Sequence, residues 1–262
     1  MENFYNKDNI HDIIGLTALQ EGMLFQYIQE KNTDEYFEQF IIKVHDIIDI
    51  DRFKSAWHKV VINNEALRSC FKWERVKQPV QIILKNFYPE IIIEDLKSEI
   101  ENNIINEDLI IAKDRNNKFD LTKVPFRIHL IKIADDEEMM IIDYHHIIFD
   151  GSSNGIIIKE FFEFYNGEVL NNEECLNSEK LSLKSYYNYI VSRDKEQEKI
   201  FWSNYLSELD VRKISDNLSI ENEYVRYNSI ESVIDNNLIT KLKRFSDQNN
   251  ISFANIFYTA WA

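Results

Sequence analysis

Between Met139 and Gly151 the chain reads MMIIDYHHIIFDG, an apolar stretch that closes on two adjacent histidines, His145 and His146, followed by Asp150 and Gly151. A histidine, whose unperturbed pKa is about 6.5, is the side chain best suited to give and take protons at neutral pH, and acyl transfer is a reaction it serves well. The usual nucleophile signatures are absent: there is no GxSxG, and Cys70 and Cys175 show neither CxxC spacing nor a local catalytic pattern. On a strand, successive side chains point to opposite faces, so Ile141, Asp143 and His145 share one face and Ile142, Tyr144 and His146 the other. At most one of the two histidines can therefore serve a given cavity. The same opposition makes them a poor chelate, and the i, i+4 helical pair of a zinc protease is missing. Asp150 lies where the chain enters a helix, beside Ser152 and Ser153, and could cap that helix, pair with a buried cation or hold the loop that aims a histidine. Gly151 offers a backbone N–H at the same helix start, where negative charge is favoured. Residue types and spacing leave three readings of comparable weight: acyl transfer, a metal site and a structural turn.

The elements that must position these residues alternate between helix and strand. Thr17 and Gln20 form a capping-box pair at the head of LTALQEGMLFQYIQE, a predicted helix over Leu16 to Glu30. Phe37 to Ile47 reads as a strand, and Ile50 to Asn63 as a helix with Phe53, Trp57, Val60 and Val61 on one face. Strands are predicted at Ser69–Trp73 and Gln81–Leu84. A hairpin follows, Phe126–Ile133 with Met139–Ile148, turning at Asp135, Asp136 and Glu137. The segment GIIIKEFFEFYNG is a helix ended by Asn166 and Gly167, and its aromatic stripe, Phe161, Phe162, Phe164 and Tyr165, is packing. This pattern predicts an α/β (α+β) two-layer sandwich, a mixed sheet covered by helices. The polar run Glu168–Ser182 is the natural boundary, giving units 1–168 and 169–262; the second holds the Tyr186, Tyr187, Tyr189 helix, KIFWSNYL, a strand around Ser229–Ile234 and two more helices. The chain reaches Ala262 inside an apolar helical pattern without a cap, which predicts a fragment of a longer protein.

Composition narrows the function classes. With 262 residues, 44% of them hydrophobic, the chain can bury a substantial core. Its formal charge of −15 argues against nucleic acid and anionic membrane surfaces as partners, and no apolar run approaches a membrane span. A cytoplasmic location is the default expectation, with no metal site.

Four stretches, in order, resemble the condensation domains of nonribosomal peptide synthetases, which share the chloramphenicol acetyltransferase-like fold. His145, His146, Asp150 and Gly151 match HHxxxDG. NIHDIIGLTALQEGMLFQY (Asn9–Tyr27) is similar to LTPxQEGMLFH, NNEALRSCF (Asn63–Phe71) to RHExLRTxF, and SYYNYI (Ser185–Ile190) with FWSNYL (Phe201–Leu206) to YxDYAxW and the FWxxxL behind it. Ala18 and Gln26 depart from the first motif, Asn63 and Asn64 from the second, Asn188 from the last, and Ser152 stands where Trp is common.

The resemblance implies an acyltransferase that joins a donor acyl or peptidyl thioester to the amine of an acceptor aminoacyl thioester. It implies that His146 faces a tunnel between two lobes and acts on the attacking amine, that Gly151 lets the loop pass close to the thioester, that Asp150 pairs with Arg68 as structural support, and that His145 packs. The chain itself would bind no cofactor; phosphopantetheine would arrive on donor and acceptor peptidyl carrier proteins, with an adenylation domain downstream in the same polypeptide. The second lobe would be truncated and the isolated fragment inactive. An epimerisation domain and a non-catalytic recruitment domain of the same fold are the alternatives.

Overall fold

The structure, a computed structural model, describes residues 7–30, 35–167, 180–209 and 232–261. Strand β1 (Ile10–Gly15) leads into helix α1 (Ala18–Gln29). The capping box forms as the sequence predicts: the Gln20 amide donates to the Thr17 hydroxyl at 3.3 Å and the Thr17 amide donates to Gln20 Oε1 at 3.0 Å. Strand β2 (Phe37–Val44) precedes α2 (Ile50–Asn63), whose cap Asp49 accepts from the Arg52 amide at 2.9 Å. Then come β3 (Ser69–Lys72), β4 (Val80–Leu84), β5 (Glu90–Asp95), α3 (Lys97–Glu101), α4 (Glu107–Arg115), β6 (Phe126–Lys132) and β7 (Glu138–His145). Helix α5 (Asn154–Asn166) ends at Gly167, whose φ of 75° is the left-handed conformation that glycine adopts without strain.

The mixed sheet with covering helices is present, divided in two. A three-stranded antiparallel sheet runs β1-β4-β3, and a four-stranded sheet runs β2-β7-β6-β5, antiparallel except for the parallel pair β5–β6. Strand β7 is central in the larger sheet and buried along its whole length, which suits its apolar run Met139–Ile142 and also encloses Glu138, Asp143 and His145. The register sets Phe40 opposite Ile142 and Ile128 opposite Ile142, so even-numbered side chains of β2, β6 and β7 point one way. That even face carries the main core: Ile128, Leu130, Met140, Ile142 and Tyr144 pack with Trp57 and Val60 of α2 and with Ile157 and Phe161 of α5. Phe161 stacks on Trp57 at 4.7 Å, as the aromatic stripe predicts. The odd face is covered too, by Ile110 of α4 against Ile131, Met139 and Ile141.

The described residues group into two compact units, 1–199 and 200–262. The first includes α6 (Leu183–Ser192), which lies on the small sheet: Lys184 pairs with Asp12 at 3.0 Å, and Tyr187 fills the space over Gly15, where a methyl group would come within 2.2 Å of its hydroxyl. Most of the expected boundary, Glu168–Ser182, lies outside the described residues, as does part of the strand expected at Ser229–Ile234; Ser232–Ile234 are not in a strand. Helix α7 spans Lys195–Tyr205. In the second unit α8 (Asn236–Asn249) is capped by Asp235 and turns at Asn250 into α9 (Phe253–Trp261), with the Ser246 hydroxyl donating to the Ile251 carbonyl at 2.6 Å. No described helix is long and apolar enough to cross a membrane.

Candidate active site

The pleat separates the two histidines. His145 closes β7; its amide donates to the Pro125 carbonyl at 3.1 Å, and its Nδ1 accepts from the Ile147 amide at 3.1 Å. An acceptor at Nδ1 places the ring hydrogen on Nε2. The ring is buried, with Tyr27 edge-on at 6.2 Å and Tyr36 at 6.0 Å. Burial, helped by the neighbouring His146, pulls its pKa down to about 4, so it is neutral at physiological pH. His145 is a packing and turn-shaping residue.

His146 lies one residue on, its amide donating to the Tyr36 carbonyl at 2.8 Å, which extends the β2–β7 ladder by one rung. Its side chain retains 30% exposure, while Nδ1 is buried and has no hydrogen-bond partner. The nearest carboxylate oxygen is Glu38 Oε1, at 3.7 Å.

The loop behind His146 is held at three places. Phe149 stacks on Tyr144 at 3.9 Å. The Tyr144 hydroxyl accepts from Asn154 Nδ2 at 3.1 Å, tying β7 to the first residue of α5. Gln20 Nε2 donates to the Ile147 carbonyl at 3.1 Å and to Gln81 Oε1 at 3.0 Å. Gln20 thus caps α1 with its oxygen and binds the loop with its nitrogen.

One sequence expectation is corrected. Arg68 and Asp150 do not form a pair. Arg68 ends a 3-10 turn, Glu65–Arg68, that leads into β3, and its buried guanidinium donates to the Leu84 carbonyl and approaches Glu65 Oε1 at 4.0 Å. It therefore serves the small sheet. Asp150 is exposed and accepts from the Ser152 and Ser153 hydroxyls at 2.5 and 3.3 Å; the Ser152 contact in particular holds its carboxyl below the usual value. It shapes its own turn. Among the described residues, a buried arginine instead pairs with aspartates on the opposite face of the sheet, Arg127 with Asp143 at 2.5 Å and with Asp114 at 3.4 Å.

Asn63 and Asn64, the departures in the second motif, both donate to Glu160 Oε2 of α5, at 3.2 and 2.8 Å, so they join α2 to α5. Around Gly151 a methyl group would meet nothing within 4 Å, and its φ is not positive, so neither packing nor backbone strain inside the chain demands glycine there. The site therefore gathers His146, Glu38, Tyr144, Asn154 and Gln20. Of these the sequence singles out only His146 and, as a cap, Gln20; the signal for Glu38 is its alternation phase in β2 once that strand is paired with β7.

The described residues form a two-sheet α/β fold with a part-exposed histidine just past the end of a central strand, and comparison with known proteins gives the family. The Condensation domain family model matches residues 10–262. Bacitracin synthase 3 of Bacillus licheniformis is 27% identical over 256 residues, which is 96% of this chain and 4% of that protein. Surfactin synthase subunit 3 of Bacillus subtilis (strain 168) is 31% identical over 206 residues, 77% of this chain and 16% of that protein. Among solved structures, the first condensation domain of the calcium-dependent antibiotic synthetase, in complex with a substrate analogue, superposes with a TM-score of 0.69 at 15% identity, covering 95% of this chain and 60% of that one. The starter condensation domain of rhizomide synthetase gives a TM-score of 0.63 at 18% identity, covering 76% and 49%. The chain belongs to the condensation domain family. It spans only a small part of the curated relatives, and about half of the solved condensation domains.

Proposed function

We propose that this chain supplies the histidine-bearing part of an amide-forming condensation domain in a nonribosomal peptide synthetase, with His146 as the working group. The observation that carries this reading is the contrast at the end of β7. His145 is buried and neutral, whereas His146 keeps part of its surface open on a loop fixed by Gln20, Tyr144 and Asn154. A thioester is an activated acyl group, so the protein need only bring an amine to it in a reactive orientation and manage one proton; orientation alone is worth about 7–11 kcal/mol in favourable intramolecular cases. No covalent enzyme intermediate is required. Gly151 supports the same reading, since the room around it admits a substrate arm close to the backbone.

The donor and acceptor are taken to arrive as phosphopantetheine thioesters on carrier proteins of the same assembly line, which also holds the adenylation domain. The activity is assigned to the complete synthetase, because these 262 residues cover 60% and 49% of the two solved condensation domains. In the full-length protein, His146→Ala is expected to slow single-turnover amide formation by about 10²–10⁴-fold while leaving folding and carrier binding intact. An unchanged rate would overturn the assignment.

A further inference from the structure

We propose that Glu38 positions His146, by accepting the hydrogen of the buried Nδ1 and thereby presenting Nε2 to the substrate with its lone pair free. The inference rests on His146 being the working base.

The register is the first support. Glu38 lies opposite Tyr144 in the β2–β7 ladder, and the His146 amide continues that ladder onto Tyr36, so Glu38 and His146 are diagonal neighbours on the same face. The second is the state of Nδ1, enclosed and without a hydrogen bond, although a ring nitrogen removed from water needs a partner. The third is the company around it. Of the ionisable groups close to this end of the sheet, His145 spends its Nδ1 on the Ile147 amide, the Tyr144 hydroxyl accepts from Asn154, and the Asp150 carboxylate is engaged by Ser152 and Ser153. Glu38 Oε1 stands 3.7 Å from His146 Nδ1, and the Glu38 side chain is 47% exposed, so a small rotation brings it to hydrogen-bond distance. Contacts of this kind are often long before substrate binds.

A neutral imidazole carries one hydrogen. Held on Nδ1 by a carboxylate, that hydrogen leaves Nε2 as the base, and the carboxylate stabilises the imidazolium once Nε2 takes a proton. In the reaction, the amine lone pair attacks the thioester carbonyl carbon and a C–N bond forms. Nε2 takes one proton from the amine, the C–S bond breaks, and His146 returns the proton to the departing thiolate, releasing a thiol. Glu38 touches neither substrate. It acts through His146.

The test compares single-turnover amide formation as a function of acceptor concentration in the full-length synthetase for wild type, Glu38→Gln, Glu38→Asp and His146→Ala, with folding checked by circular dichroism. Glu38→Gln is expected to lower the maximal rate by about 10- to 100-fold, the range that losing the partner of an oriented histidine costs at metal sites. It should leave the half-saturating acceptor concentration unchanged, since Glu38 touches neither substrate. Glu38→Asp should recover part of the rate. If Glu38→Gln keeps the wild-type rate while His146→Ala is slow, the Glu38 inference is wrong and the His146 assignment stands. If Glu38→Gln is slow but Glu38→Asp recovers none of the rate, or half-saturation shifts as well, its role is structural and the inference is again wrong. If His146→Ala is as fast as wild type, both fall.

Discussion

The two faces of the β6–β7 hairpin each hold a histidine near carboxylates, and they handle the arrangement in opposite ways. On the odd face Arg127 donates to Asp143 at 2.5 Å and reaches Asp114 of α4 at 3.4 Å, while His129 sits 3.2 Å from Glu94 and 3.8 Å from Asp114. Arg127, Asp143, Asp114 and His129 are all buried. Burial and the neighbouring Asp114 raise the Asp143 carboxyl, whereas His129, Asp143 and Arg127 outweigh the burial of Asp114 and hold it low. The two carboxyls are thus pushed in opposite directions, Asp143 up and Asp114 down. On the even face, at the end of the strand, His146 has one carboxylate nearby and an open side. The odd-face cluster is shut away from solvent and ties the sheet to α4; the even-face one keeps an open side, which the proposed function gives to a substrate.

That contrast can be broken most forcefully at Arg127. Arg127→Ala leaves buried carboxylate uncompensated and is expected to cost about 3–5 kcal/mol of stability in urea unfolding. A loss as small as that of a surface charge would mean that the odd-face cluster is not closed. His146→Ala, by comparison, should leave the midpoint nearly unchanged.

The next effect lies in the histidine pair. Because the folded-state pKa of His145, about 4, lies below the unfolded value of about 6.5, its contribution is fully present above pH 6.5 and is lost as the pH falls through that window. The loss approaches about 3 kcal/mol by pH 4. Asp143, with its raised carboxyl, tilts stability the opposite way, so the informative quantity is the difference between wild type and His145→Asn. Unfolding curves measured from pH 7 to 4 should converge for the two proteins at low pH; parallel curves would show that His145 is not held neutral.

The smallest effect tests the corrected pairing. Asp150→Ala removes an exposed side chain bonded only to Ser152 and Ser153, and should cost under about 1 kcal/mol. A loss of the Arg127→Ala size would mean that Asp150 braces a buried cation after all.

Much of this was legible in the chain. The even-face core followed from the helical spacing of Phe53, Trp57 and Phe161, and the separation of His145 from His146 from strand alternation alone. Strand β1 was not, because His11 and Asp12 interrupt its alternation and its pairing with β4 shifts register between Ile10 and Asp12. Strand β5 includes Glu90, Glu94 and Asp95 around an apolar run of only Ile91–Ile93, and it pairs in parallel with β6, so no hairpin signal announces it. Helix α3 has a single apolar residue, Ile100, and α4 carries its apolar residues consecutively, Leu109–Ala112, so neither shows a helical period. The Arg127–Asp143 pair could have been found, since a hairpin turning at Asp135 places residues 127 and 143 opposite each other. Glu38 could not. Its position beside His146 depends on a β2–β7 pairing between segments distant in the chain, Glu38 meeting Tyr144, which local patterns do not encode.

The Gln20 side chain, finally, sets a rule for recombining such domains. Its two ends join the head of α1, strand β4 and the loop after the histidines, three segments that a crossover point could assign to different parents. A chimera that takes α1 from one synthetase and the histidine loop from another loses one of the loop's three ties unless the incoming helix carries a glutamine at this position and the backbone carbonyl of residue 147 still meets it.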